Sequence, residues 1–314
     1  MIFRNSMRLL FSNFSNVWKL LLYYVVCVAL SALVCWWFVQ PIVVKLSNAG
    51  VFASISNLFS SLFSSNPPQF AEEFSNIAQT IGNVLSSSVE LRFNYVFVAF
   101  WLLFVFPVTI DMALLPMGEV LYGYMTSQVR YTFTGRYIKN IGKSVLFAMS
   151  RYVVLLPVNA ILLAVFCLVI KFLIQATLAS IVFAMVLLTL LVVLWAVRQT
   201  IFSCWMPAIS VLGCKVFAGL GQNFEAAFRK FFAIFSNAFV LALCAIVFNL
   251  IFTVFTATIS LSVTIPLTVF VFVIFQMVSF FDSHGMRYYI YPNMFISPKT
   301  FEEQDKIQKI KNLL

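Results

Sequence analysis

Apolar residues gather in six long runs along this chain, at about 18–39, 94–115, 152–174, 177–197, 236–258 and 262–281. Each approaches the roughly 20 residues that an α-helix needs to cross the hydrocarbon core of a bilayer. Only a few residues around "IQATL" separate the third run from the fourth, which predicts a tight helical hairpin. No small-residue cleavage site follows the first run, and it is too long for the apolar core of a signal peptide. It is expected to remain as a span.

Between the runs the pattern changes from continuous to periodic. Three segments align without gaps: "FRNSMRLLFSNFSNVW" from Phe3, "IKNIGKSVLFAMSRYV" from Ile138 and "FEAAFRKFFAIFSNAF" from Phe224. Their apolar or small positions follow one i, i+4, i+7, i+8, i+11 stripe. It reads Phe3, Met7, Leu10, Phe11, Phe14 in the first copy and Ile138, Gly142, Val145, Leu146, Met149 in the second. The third reads Phe224, Phe228, Phe231, Phe232, Phe235. Such a stripe marks one face of an α-helix. The opposite faces carry Arg4 and Arg8, Lys139 and Lys143, and Glu225 and Arg229 with Lys230 beside it. Amphipathic helices with basic wet faces lie in the membrane interface. Interfacial helices are therefore predicted over 1–17, 138–149 and 224–235, each reaching a serine (Ser15, Ser150, Ser236) where a span begins.

The segment 40–93 is also periodic. Phe52, Ile55, Phe59, Leu62 and Phe63 precede "NPPQ", and Phe70, Phe74, Ile77, Ile81, Val84 and Leu85 follow it. Two helices broken apart at Pro67–Pro68 are predicted, forming a hairpin outside the cytoplasm.

Composition agrees with the spans. Hydrophobic residues make up 62% of the 314 and charged residues 10%, against about half and a quarter in soluble domains. The expected fold class is an all-α polytopic membrane protein with about six spans, 18–281, and a cytoplasmic tail, 282–314. Seventeen of the twenty Lys and Arg residues fall on one side of such a bundle, leaving Lys45, Arg92 and Lys171 on the other. The positive-inside rule then puts both termini in the cytoplasm. The net charge of +10 is thus an orientation signal, with anionic inner-leaflet lipid as the partner and no nucleic acid implied. Protein partners are expected at the tail or the outer hairpin. Six cysteines, at 27, 35, 167, 204, 214 and 244, form no CxxC and are expected to be small core residues.

Ionisable groups inside spans are costly and mark candidate sites. Asp111 lies in "FPVTIDMALLPMGEV" between Pro107 and Pro116, where a broken helix is expected. Glu119 follows eight residues on, and Arg151 and Arg198 at the ends of spans 3 and 4 are candidate partners. Asn159, Asn249 and Gln276 are expected to make interhelical hydrogen bonds. The "GKS" at 142–144 lacks the upstream glycine of a P-loop, and "FEAAFRK" lacks the later glycine of an importer coupling motif. The single histidine, His284, cannot supply a multi-His metal site, and no catalytic motif or cofactor is implied. "FDSHGMRYYIYPNMF" instead reads as an exit collar of tyrosines with Arg287 at the headgroup layer. A short amphipathic helix is expected beyond Pro298.

The stretch "FPVTIDMALLPMGEVLYGYMTSQVRYTFTGRYIKNIGKSVLFAM" resembles the YesL-like pattern of bacterial multipass proteins, and "WMPAISVLGCKVFAGLGQNFEAAFRKFF" repeats the layout. YciC-like proteins and the membrane domain attached to some glycerophosphodiester phosphodiesterases share it. The resemblance implies a bacterial membrane bundle with interfacial helices and assigns no catalytic residues. The long outer hairpin departs from the usual layout. Three functions follow from these features: a non-enzymatic accessory protein organising lipid or a partner complex, a transporter with a polar path near Asp111, and a lipid-active enzyme.

Overall fold

The computed structural model describes residues 2–63, 67–175, 180–256, 261–291 and 294–296. Among the described residues six helical stretches are long and apolar enough to cross a membrane, and the chain is an all-α polytopic membrane protein. It divides into two compact units. One comprises Met1–Val25, Val108–Val158 and Leu191–Leu314, the other Val26–Pro107 and Asn159–Leu190.

The first unit begins with α1 (Ile2–Ser12), which turns at Asn13–Phe14 into the first span, α2 (Ser15–Asn48). The second span ends in α6 (Phe106–Asp111), and a break at Met112–Ala113 separates it from α7 (Leu114–Ser127). After α8 (Phe133–Lys139) the chain breaks again at Asn140 and enters the third span, α9 (Ile141–Gln175). The fourth span, α10 (Ser180–Ile201), breaks over Phe202–Cys204 before α11 (Trp205–Leu212). Then come α12 (Val216–Arg229), a break at Lys230, α13 (Phe231–Thr256) and α14 (Leu261–Ser283).

The core is built around α14. Its apolar window is 72% buried, against 6–28% in the other five spans. From Ser262 to Phe281 it carries no charge, and a helix apolar all round is enclosed on every side. Phe270, Phe275, Phe280 and Phe281 are fully buried there, against α1, α7, α11, α12 and α13. The short helices α7 and α11 each carry proline at their third residue, Pro116 and Pro207. In a first turn the missing N–H costs no intrahelical bond. A Cβ on Gly118 would stand 2.2 Å from Met206 Sδ, so glycine leaves room for the Met206 side chain between α7 and α11.

Two of the three expected interfacial helices are framed differently. The chain turns into spans 3 and 5 at Asn140 and Lys230, well before Ser150 and Ser236. Ser150 is buried within α9, and Ser236 Oγ donates to Ala233 O (3.2 Å) inside α13. The exit collar also differs. Tyr288–Tyr291 (β1) pairs antiparallel with Met294–Ile296 (β2), with a bulge between Tyr289 and Tyr291. Tyr288 and Ile290 point inward and are buried, because successive strand residues face opposite ways. The tail helix expected beyond Pro298 lies outside the described residues.

In the second unit, α3 (Val51–Phe63) packs against α4 (Pro67–Ser86), giving the expected helical hairpin. Pro67 and Pro68 open α4, which suits their fixed φ. Ser88 caps α5 (Val89–Phe100), its Oγ accepting from Leu91 N (3.2 Å). A π turn at Trp101–Val105 precedes Pro107, a wide turn of the kind that marks helix irregularities. Phe38 and Phe97 pack with ring centroids 4.1 Å apart. The cysteines are free, and Cys167 and Cys244 are exposed on their helices, unlike the buried Cys27, Cys35 and Cys204. A small apolar thiol needs no burial where a span faces hydrocarbon.

Candidate functional site

The broken end of span 2 gathers three of the candidate charges. Asp111, the last residue of α6, forms an ion pair with Arg151 of α9, and both side chains are mostly buried. Arg198, three residues from the end of α10, stands within electrostatic reach of both. One carboxylate thus faces two guanidinium groups, which ties the ends of spans 2, 3 and 4 together and leaves positive charge in excess. Partial burial makes each partner necessary to the other, since a lone charge there has little water to turn to.

Glu119 does not join this cluster. It lies on α7, where its Oε2 accepts from Asn140 Nδ2 (2.7 Å) and sits 3.6 Å from Arg136 Nη1. Asn140 is the residue at which the chain breaks before span 3, so Glu119 fixes that break. Arg136 also lies over the Tyr131 ring, 3.6 Å from its centroid. Asn159 is exposed on α9 and belongs to the second unit. Asn249 makes the interhelical bond expected of it, Nδ2 donating to Thr268 Oγ1 (3.0 Å), and Gln276 is buried on α14.

At the three span starts the helices turn small and polar faces toward the protein. The protein-facing side of α1 carries Asn5, Ser6 and Leu9, that of early α9 carries Ser144, Phe147 and Ala148, and that of α12 carries Asn223, Ala226 and Ala227. Much of the apolar stripe points outward instead. Phe11 is 71% exposed, Phe228 61% and Phe232 84%, and Phe14, Leu146 and Met149 are exposed as well. Small and polar residues face in because they allow close helix approach and find backbone partners.

The basic candidates divide into two groups. Arg4 and Lys139 are exposed, Lys143 is half-buried and Arg287 is exposed. Arg8 places Nη1 3.9 Å from Met294 Sδ. Arg229 pairs with Glu225 one turn back (2.8 Å). Lys230, expected at the lipid interface, donates from Nζ to Asp282 O (2.8 Å) and Oδ2 (3.2 Å), closing the end of α14. A charged amine beside an orphan helix-terminal carbonyl is favoured by the helix dipole. His284 Nδ1 lies 3.0 Å from Phe280 O, in the same terminal turn.

Asn223 is the buried residue that periodicity missed. Its Oδ1 accepts from Cys204 N (2.9 Å) and its Nδ2 donates to Ile201 O (2.8 Å). One side chain from α12 thereby satisfies both sides of the α10–α11 break, whose groups would otherwise lack partners. The signal was an asparagine at helical spacing from small residues, on one face with Gly219, Ala226 and Ala227 in "FAGLGQNFEAAF". Asn237 does the same once, its Oδ1 accepting from Phe3 N (3.0 Å). Asn5 donates through Nδ2 to Tyr288 Oη (2.8 Å), joining α1 to β1.

No protein-family model, no curated protein and no solved structure matches the chain.

Proposed function

We propose that this is a non-enzymatic accessory protein of a bacterial cytoplasmic membrane, with both termini in the cytoplasm, that organises anionic lipid around its span starts. One observation carries the reading: at three span starts part of the apolar stripe, Phe11 and Phe14, Leu146 and Met149, and Phe228 and Phe232, faces away from the protein. Exposed Phe11 on the helix of Arg4, and Leu146 and Met149 on the helix of Lys143, suit a headgroup layer, where apolar side chains sit among acyl chains and cations meet phosphate. A partner complex docked through the tail or the outer hairpin is compatible with this role. The resemblance to YesL-like proteins, read from the sequence, implies the same bacterial membrane setting.

The test is the lipid that the protein carries. Extracted with its surrounding lipid in polymer-bounded discs, the protein is expected to be enriched in anionic lipid over the bulk membrane. Each interfacial cation contributes about 1 kcal/mol, or about fivefold in local partitioning. Replacing Arg4, Lys139 and Lys143 by Gln is expected to reduce the enrichment stepwise. Bulk composition around the wild type, or enrichment untouched in the triple variant, sinks the reading.

The second reading is a transporter subunit with a polar path near Asp111. It is favoured by the two-to-one excess of arginine over carboxylate at a broken span end. It requires that Asp111→Asn abolish flux of an anion or proton while leaving the protein folded.

A further inference from the structure

Where α1 turns into α2, a polar cleft of about 90 Å³ opens, lined by Asn13, Ser15, Asn16, Lys19, Arg130 and Tyr131 among others. Pockets for drug-sized ligands begin near ~300 Å³, so this one admits only a small group. Its lining includes two cations and no carboxylate. It also includes the first residues of a 34-residue helix, whose positive dipole end favours an anion.

Asn16 points to what is missing. The residue is 6% exposed, its Oδ1 accepts from Lys19 Nζ (2.9 Å), and its Nδ2 donates to no group among the described residues. The residue lines the cleft, and its amide N–H groups are free to donate to an acceptor that enters it. Lys19 donates to the same side chain, which brings both donors to the cleft.

The far wall is held in place as carefully. After α7 the chain reverses through Gln128, whose φ is 57°, and Val129 N returns to Gly123 O (3.2 Å). A Cβ on Gly123 would meet the Tyr131 ring at 2.3 Å, so glycine is what lets that ring lie on α7. The Arg136 guanidinium covers the ring at 3.6 Å, and Glu119 in turn holds Arg136. Glu119 and Arg136 thus position Tyr131, whose chain neighbour Arg130 also lines the cleft.

We propose that this cleft binds a single phosphate group, recognised by Lys19, Arg130 and the free amide of Asn16. The group is carried either on a lipid headgroup or on a soluble phosphate or phosphate ester. The site stands apart from the lipid-organising stripes, because its cations are not those of the outward faces.

Two variants keep the fold while removing the chemistry. Arg130→Gln changes an exposed side chain. Asn16→Asp keeps the shape and gains an ion pair with Lys19, but sets a carboxylate against the ligand. Purified full-length protein is titrated with inorganic phosphate in detergent, against chloride at equal ionic strength. In parallel it is placed in phosphatidylcholine discs with and without phosphatidic acid, and thermal unfolding is followed in both arms. The wild type is expected to be stabilised in at least one arm, with either variant needing about tenfold or more ligand for the same shift. Stabilisation by inorganic phosphate assigns a soluble phosphate. Stabilisation by phosphatidic acid alone assigns a lipid headgroup. No shift in either arm, or equal shifts in wild type and both variants, overturns the proposal. Neither result depends on the anionic-lipid enrichment lost in the Arg4, Lys139 and Lys143 triple variant.

Discussion

Replacing Asn223 by alanine removes the one side chain that closes the break between α10 and α11. The Ile201 carbonyl and the Cys204 amide lose their partners together, in a place where the asparagine is fully buried. Each orphaned buried group costs about 1–3 kcal/mol, so about 2–6 kcal/mol of stability should go. Asn223→Asp separates the two bonds. It still accepts from Cys204 N–H but turns a second oxygen toward the Ile201 carbonyl, and should fare no better than alanine. Asn237→Ala is the comparator, since that side chain closes only one long-range bond, to Phe3 N, for about 1 kcal/mol. Unfolding by SDS titration, read through the fluorescence of neighbouring tryptophans such as Trp205, gives all three values in one assay. An Asn223→Ala protein within about 0.5 kcal/mol of the wild type would show that the break is satisfied some other way.

Two further outcomes rest on charge. Asp111→Asn leaves Arg151 and Arg198 facing each other without their carboxylate. With side chains 16% and 22% exposed in the pair, the loss should be about 1–3 kcal/mol in the same titration, below the ~3–5 of a fully buried pair. Burial pushes the Tyr288 phenol up to about 12, offset in part by the Asn5 hydrogen bond and helped slightly by Asp282. The folded state therefore keeps this proton where the unfolded chain, at about 10, loses it. Its contribution is complete below about pH 10 and is lost as pH rises toward 12, at up to about 1.4 kcal/mol per unit. Melting of wild type and Tyr288→Phe across that window should converge, and parallel curves would remove Tyr288 from the account.

The spans were legible because a run of some twenty apolar residues has few soluble uses. The broken end of span 2 was legible from Pro107, Asp111 and Pro116, and Arg151 was already a candidate partner. The positions of the other breaks were not. The apolar stripe runs through Asn140 and Lys230 without interruption, and only the tertiary partners, Glu119 and Asp282, mark where the helices stop. Periodicity also cannot say which way a stripe faces when lipid and protein both accept apolar surface. Phe228 and Phe232 turn outward because Asn223, Ala226 and Ala227 allow α12 to approach the core more closely. The β1–β2 hairpin had a signal, tyrosine and isoleucine on either side of "PN", but tyrosines beside a span read equally well as an interfacial belt.

The outward stripes are the central claim, and a photoreactive phenylalanine analogue tests them most directly. Benzoylphenylalanine is placed at Phe11, Phe228 or Phe232, and at buried Phe147 as the inward control. After illumination in native membranes, the three outward positions are expected to yield lipid adducts, while Phe147 yields only intramolecular ones. Protein adducts at Phe11, Phe228 and Phe232, with lipid absent from all three, would contradict the account.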